Sequence, residues 1–363
     1  MKKIFTGCIA YLLVSQLSYS QGCVAIRSTG AVCTRPDAGK DMAQGWQLNT
    51  VYRYFRSFRH FVGKEEQKER LEKNTEVINW SHNLDVAVVR HFNNRWSLSL
   101  NVPIISNVRS SLYEHGGNNG GKNARQKTKS FGIGDIRFTV YHWLLDPAKS
   151  TRANIQVGLG LKLPTGDYKY QDFFKKNDST QILGAVDQSI QLGDGGTGFT
   201  TEINAYYNIT KVISVYGSFY YLFNPREQNG TLNTRGGAVT AAAIANGTST
   251  HSVPDQYMAR AGGNFNFGAF TASAGMRMEC VPSRDLIGGS SGFRRPGQVI
   301  SVEPGISYQF KKVNAFATVP VAVVRNRTQS NGDKIRTKTT GVYTKGDAAF
   351  ADYSVNIGCS FRL

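Results

Sequence analysis

Strict period-two alternation in the last twelve residues constrains this chain more than any other feature. Tyr353, Val355, Ile357, Cys359, Phe361 and Leu363 share one face, and Asp352, Ser354, Asn356, Gly358, Ser360 and Arg362 share the other. On a helix, residues i and i+2 diverge, so a pattern of this length demands an extended strand. The unit recurs along the chain, at about 45–58, 77–92, 95–109, 132–145, 152–164, 197–208, 211–224, 256–267, 269–281, 298–310, 313–325 and 347–363. These segments predict an all-β chain: a transmembrane antiparallel up-and-down β-barrel of about 12 strands.

The connections alternate in length. Tight turns are expected at Asn93-Asn94, Asp146 to Thr151, Asn208 to Lys211, Gly268-Ala269 and Lys311-Lys312. Long polar loops fall near 59–76, 110–131, 165–196, 225–255, 282–297 and 326–346. Short turns on the periplasmic side and long loops outside are the habit of outer-membrane barrels, and an even strand number leaves no open edge in lipid. A soluble β-sandwich alternates too, with its apolar face inward. Trp46, Trp80, Trp96, Trp143, Tyr207, Tyr221, Phe223 and Phe310 fall near strand ends or on outward positions, where an aromatic girdle would lie. Pro103, Pro164 and Pro320 lie in or near strands and predict bulges or breaks, because proline donates nothing to the ladder.

The N-terminus reads as a secretory signal over residues 1–20: Lys2 and Lys3, an apolar run around Ile9 to Val14, then Ser18 and Ser20. A lipoprotein signal at Cys23 is the rival, with Gly22 in its favour and Ser20 against it. Residues 21–44 would form a periplasmic segment or a small plug, and 45–363 the barrel. Cys23 and Cys33 are a candidate disulfide in the oxidising periplasm. Cys280 and Cys359 read as inert lipid-facing residues. The formal charge of +18 is dispersed on an exported chain. Outer-membrane lipids, lipopolysaccharide and anionic solutes are therefore the expected partners, and nucleic acid is not.

Parity turns ten charged residues inward: Arg53, Asp85, Asp135, Arg137, Lys162, Glu202, Arg260, Arg277, Glu279 and Glu303. On the lipid face each would cost about 2–4 kcal/mol. They would line a constriction that selects or gates a solute, or form a salt-bridge network that fills the lumen. No catalytic constellation emerges. GGNNGGKN at 116–123 imitates a phosphate loop but has Asn123 where Ser or Thr is needed. His82 and Asp85 have opposite parity, and His91 and Asp85 are too far apart along one strand to cooperate. The reading is of no enzyme, no cofactor and no metal site. The charged run 63–73 predicts a loop with a short helix at most, and AVTAAAIANG at 238–247 a small apolar loop element.

Two resemblances extend this reading. The C-terminal NIGCSFRL resembles the signal of outer-membrane barrel clients, through Asn356, Gly358, Phe361 and Leu363. It implies recognition by the barrel assembly machinery, although the chain ends in Leu rather than Phe. The runs GIGDIRFTVYHWLLD, VGLGLKLPTGDY and QLGDGGTGFTTEINAYYNI, with NVPIIS at 101–106, resemble the transporter-like outer-membrane family of meta-pathway phenol degradation proteins. The match rests on Gly134-Asp135, Leu144-Leu145, Leu163 to Asp167 and Gly193 to Gly195. It implies an outer-membrane channel or facilitator for passive movement of small, hydrophobic or aromatic molecules. The alternative is a non-transporting structural or surface-binding barrel whose outer loops carry the function. Loops 225–255 and 326–346 match no motif.

Overall fold

The computed structural model describes residues 44–116 and 125–363. The expected signal peptide, the 21–44 segment but for its last residue, the Cys23–Cys33 pair and most of the GGNNGGKN run lie outside them. The wall begins with β1 (Gly45–Val62), a short β2 (Glu65–Glu66), β3 (Ile78–His91) and β4 (Trp96–Ser111). It continues through β5 (Gln126–Ile133), β6 (Arg137–Trp143) and β7 (Ala153–Lys162). A hairpin of β8 (Gln171–Lys175) and β9 (Gln181–Ala185) stands in the next loop, before β10 (Gly198–Asn208) and β11 (Ile213–Phe223). A second loop pair, β12 (Gln228–Leu232) and β13 (Thr250–Ser252), precedes β14 (Gln256–Phe267), β15 (Phe270–Val281) and β16 (Gly297–Phe310). The chain ends with β17 (Val313–Thr318), β18 (Val321–Arg327) and β19 (Ala348–Arg362). The helices are short: α1 (Lys68–Glu72), α2 (Ala241–Ala245) and α3 (Asn331–Thr340).

All wall neighbours are antiparallel, and β19 returns to pair with β1 from Gln47↔Arg362 to Phe61↔Ala348. β5 and β6 are two halves of one wall position, both on β4, and β17 and β18 are two halves of another, both on β16. The result is a closed barrel of 12 strands. Closure leaves the wall without a terminal edge strand, as backbone in hydrocarbon requires, and the ladder is interrupted only at the two split positions.

Burial is inverted relative to a soluble domain. Phe138, Leu159, Phe199, Ile203, Val215, Phe265, Val302 and Ile357 are exposed on the outer wall. Their alternating neighbours Arg137, Thr139, Thr200, Glu202, Ser214, Asn264, Ser301 and Asn356 are buried inside. An apolar belt around a polar interior is the arrangement of an outer-membrane barrel.

Both split positions lie where proline removes a donor. Ile133 pairs with Ile104 and Arg137 with Asn101, so Gly134, Asp135 and Ile136 bulge out beside Pro103. β7 ends at Lys162, before Pro164, so β5 has no β7 partner. Pro320 likewise separates β17 from β18, and β18 pairs with β19 only at Val321↔Tyr353. That second seam is closed by side chains: Asp352 binds Arg59 at 2.7 Å and Arg325 at 2.6 Å.

Some expectations need correction. The fourth strand position reaches outward to Gln126, so residues 126–131 are strand and not loop. Trp143 is no girdle residue: it points inward, 7% exposed, with its ring against Tyr206. Tyr221 faces outward by parity but is buried, its hydroxyl on Asp255 and its ring stacked on Tyr257. Trp46, Trp96, Tyr207 and Phe310 are exposed on the outer wall. Cys280 and Cys359 form no disulfide, and Cys280 is wholly buried and not lipid-exposed.

Candidate functional site

The site is the barrel interior, which holds two charged layers. The ten inward charges make up the lower one, in two groups. On the β1, β14, β15 and β16 side, Arg260 binds Glu303 at 2.8 Å, and Arg277 binds Glu279 at 2.8 Å and lies 3.7 Å from Glu303. Arg53 reaches Glu279 at 3.5 Å and donates to Asn356 Oδ1. On the other side, Arg137 donates to Asn101 at 3.0 Å and faces Asp85 at 3.9 Å, while Tyr141 donates to Glu202 at 3.0 Å. Lys162 binds Asp135 at 3.3 Å and also Asp194. The seam strand β19 places Asn356 and Gly358 inward and Phe361 and Leu363 outward.

Above this layer the connection from β7 to β10, residues 163–197, folds into the lumen. Its base is a single hydrogen-bonded corner. The Asp135 carboxylate accepts from Gly166 N at 3.0 Å and from Asp194 N at 3.1 Å, so it ties the entry and the exit of the loop together. Thr165 Oγ1 donates to Gly134 O and accepts from Ile136 N. A Cβ on Gly166 would stand 2.6 Å from Leu192 O, and one on Gly193 would strike the Asp135 carboxylate. Gly134-Asp135, Thr165-Gly166 and Gly193 to Gly195 are separate stretches of sequence that carried the family resemblance, and they meet here.

From that corner a short 3-10 turn at Gln188–Ile190 crosses the barrel. On one side, Asn107 of β4 and Ser130 of β5 donate to Ile190 O. On the far side, Asp187 takes both Arg295 guanidinium nitrogens at 2.7 Å, and Gln188 donates to Ser252 O at 2.9 Å. Asp187 also binds Arg235 at 3.1 Å and lies 3.4 Å from Arg109 of β4. Burial pushes the Asp187 carboxyl up, but Arg109, Arg295 and Arg235 outweigh it and hold the group well below the usual carboxylate range. Glu114 shares Arg109 and Arg235, each at 2.9 Å. One buried carboxylate on the crossing loop thus joins arginines from opposite sides of the wall.

Two cavities lie inside the barrel, and Arg294 and Arg295 line both. The inner one, about 140 Å³, is lined by Asp135, Arg137, Lys162, Tyr220, His251 and the loop. The outer one, about 440 Å³, is a vestibule lined by seven arginines, among them Arg294, bidentate on buried Asp285, and Arg327, paired with Asp333 at 3.1 Å. Arg70 and His60 both hold Asp347, whose carboxyl burial alone would raise but His60 pulls down to about 2. The hairpin β8–β9 stands against the free edge of β5, where Lys129 N donates to Asp172 Oδ2 at 2.6 Å.

Sequence parity reached the lower layer but not Arg109, Glu114, Asp187, Arg235, Arg294 and Arg295. All but Arg109 sit in loops, where no periodicity assigns a face. His82 faces outward, its Nδ1 2.6 Å from the Tyr52 hydroxyl, and is separated by the wall from Asp85. Among the described residues no cluster of His, Cys, Asp and Glu is placed to hold a metal ion.

No family model matches the chain, and no curated protein matches it. Solved structures do. The COG4313 outer membrane channel from Pseudomonas putida F1 superposes with a TM-score of 0.57 over 94% of this chain and 100% of that one, at 10% identity. The Pseudomonas putida toluene transporter TodX superposes at 0.44, with 8% identity, over 95% of this chain and 96% of that one. The NanC porin superposes at 0.41, with 11% identity, over 87% of this chain and 100% of that one. The first of these shares the fold, that of an outer-membrane β-barrel.

Proposed function

We propose that this protein is an outer-membrane channel that lets small molecules cross passively, narrowed by the loop that crosses its lumen. The observation that carries the reading is the polar interior crossed by a tethered loop, with one cavity lined by that loop and another lined by arginines bound to its Asp187. A barrel with a purely structural role needs no cavities, and a channel needs a narrow zone that discriminates. The lower charge network is the second filter, with Arg260 and Glu303 at its centre. Planar-bilayer recording of the purified barrel, beside Arg260→Ala and Glu303→Ala, tests this. Discrete conductance that changes with either substitution is expected. A silent, correctly folded barrel would move the function to the outer loops.

A second reading concerns small hydrophobic or aromatic solutes. The free edge of β5 carries exposed Phe131 and Ile133, and the loop's hairpin is what covers it. A shift of this loop would uncover lumen and wall together, giving an apolar solute a sideways exit. Replacing Pro103, Pro164 and Pro320 by Val should impair uptake of such a solute; unchanged uptake would count against this exit. The C-terminal residues Asn356, Gly358, Phe361 and Leu363 are proposed as the mark read by the barrel assembly machinery. Lipopolysaccharide is the proposed neighbour of the outer rim.

A further inference from the structure

We propose that the outer vestibule is a binding site for small dianionic solutes bearing carboxylate or phosphate groups. This rests on the channel reading for its biological meaning but not for its chemistry.

Three features carry it. The first is charge. Seven arginines line the cavity, and the carboxylates within ion-pair reach of them number five: Glu114, Asp187, Asp285, Asp333 and Asp347. The surplus is two positive charges. The second is where the surplus lies. Arg336 of α3 forms no ion pair among the described residues. The buried Arg327 bonds Thr328 O through Nη1 and Asp333 through Nη2, and its Nε–H has no partner. Arg327 lines the cavity and shares its charge with the single carboxylate of Asp333, and charge of this kind draws an acceptor-rich ligand. The third is room and geometry. The cavity of about 440 Å³ accepts a small organic acid, and guanidinium forks match carboxylate and phosphate oxygens two at a time. His60, Arg109, Arg327 and Ala348 belong to wall strands, which encloses the cavity within the barrel mouth. A free solute is therefore the occupant, and not the headgroup of a lipid on the outer wall.

The test is isothermal titration of the whole purified barrel, in neutral detergent, with succinate and with inorganic phosphate. Arg336→Gln sits on an exposed helix and leaves the wall intact. Arg327→Lys keeps one charge but removes the fork. Wild type should bind at low salt and weaken as salt rises. Each variant should lose about tenfold in affinity, the loss of one charge-assisted contact. Bilayer recording supplies the second arm, with anions passing in preference to cations and the preference falling in Arg336→Gln. Absence of succinate and phosphate binding by wild type, or binding as tight as wild type by both variants, overturns the site even if the barrel conducts. A silent barrel that binds succinate through Arg336 keeps the site and overturns the channel.

Discussion

Replacing Asp187 by Asn should release the crossing loop while leaving the barrel closed. The side chain is fully buried, bidentate on Arg295, bound to Arg235 and 3.4 Å from Arg109. Asparagine keeps the shape and one acceptor oxygen but removes the charge, which leaves Glu114 alone among three guanidinium groups. Breaking a buried ion pair from one side costs about 3–5 kcal/mol. The barrel has an alternative to unfolding, because the loop can leave the lumen and let the arginines hydrate. At 1.4 kcal/mol per factor of ten, the open state gains roughly a hundred- to a few-thousandfold in population. Single-channel recording reads this directly: Asp187→Asn should show larger or longer openings than wild type. Heat-modifiable migration on a gel supplies the control for a folded barrel. A folded Asp187→Asn protein with wild-type conductance and open time would refute the claim that this carboxylate tethers a constricting loop.

Three further outcomes are expected. Glu303→Ala leaves buried Arg260 and Arg277 without their shared carboxylate and should cost about 3–5 kcal/mol. Arg260→Ala combined with it should cost less than the two singly added, as urea unfolding in vesicles will measure. Ile203→Arg puts a charge on the lipid face and should cost about 2–4 kcal/mol in the same assay; a cost near zero would mean that this face meets water. His251, on β13, is depressed to about 4 by burial and by Arg235 and Arg295, with Asp187 acting in the opposite sense. The unfolded chain takes up this proton first. The stability is therefore complete above about pH 6.5 and declines toward pH 4, by about 3 kcal/mol in all. Melting followed from pH 7 to pH 4 should show a decline that His251→Gln removes.

The strand count, the wall order and the face of each wall residue were legible in the sequence, because a side-chain period of two is local and each strand states its own lipid and lumen sides. Arg260 and Glu303 could be turned inward without knowing that they touch, since an outward charge is costly at any register. The girdle expectation failed where another element covers an outward face, as for Tyr221 beneath Asp255, and where strand parity turns the ring inward, as for Trp143, which shares its face with Arg137, Thr139 and Tyr141. The sequence also carried Gly134-Asp135, Thr165-Gly166 and Gly193 as a motif without a reason. Tertiary structure supplied it: one carboxylate closes a loop whose ends are far apart in the chain, and a Cβ at either glycine would collide with the closure. The crossing loop and the arginine vestibule were decided wholly at that level. A loop has no repeating geometry from which its facing can be read. Asp187 meets Arg109, Arg235 and Arg295 only once the closed wall has fixed where each of their segments stands.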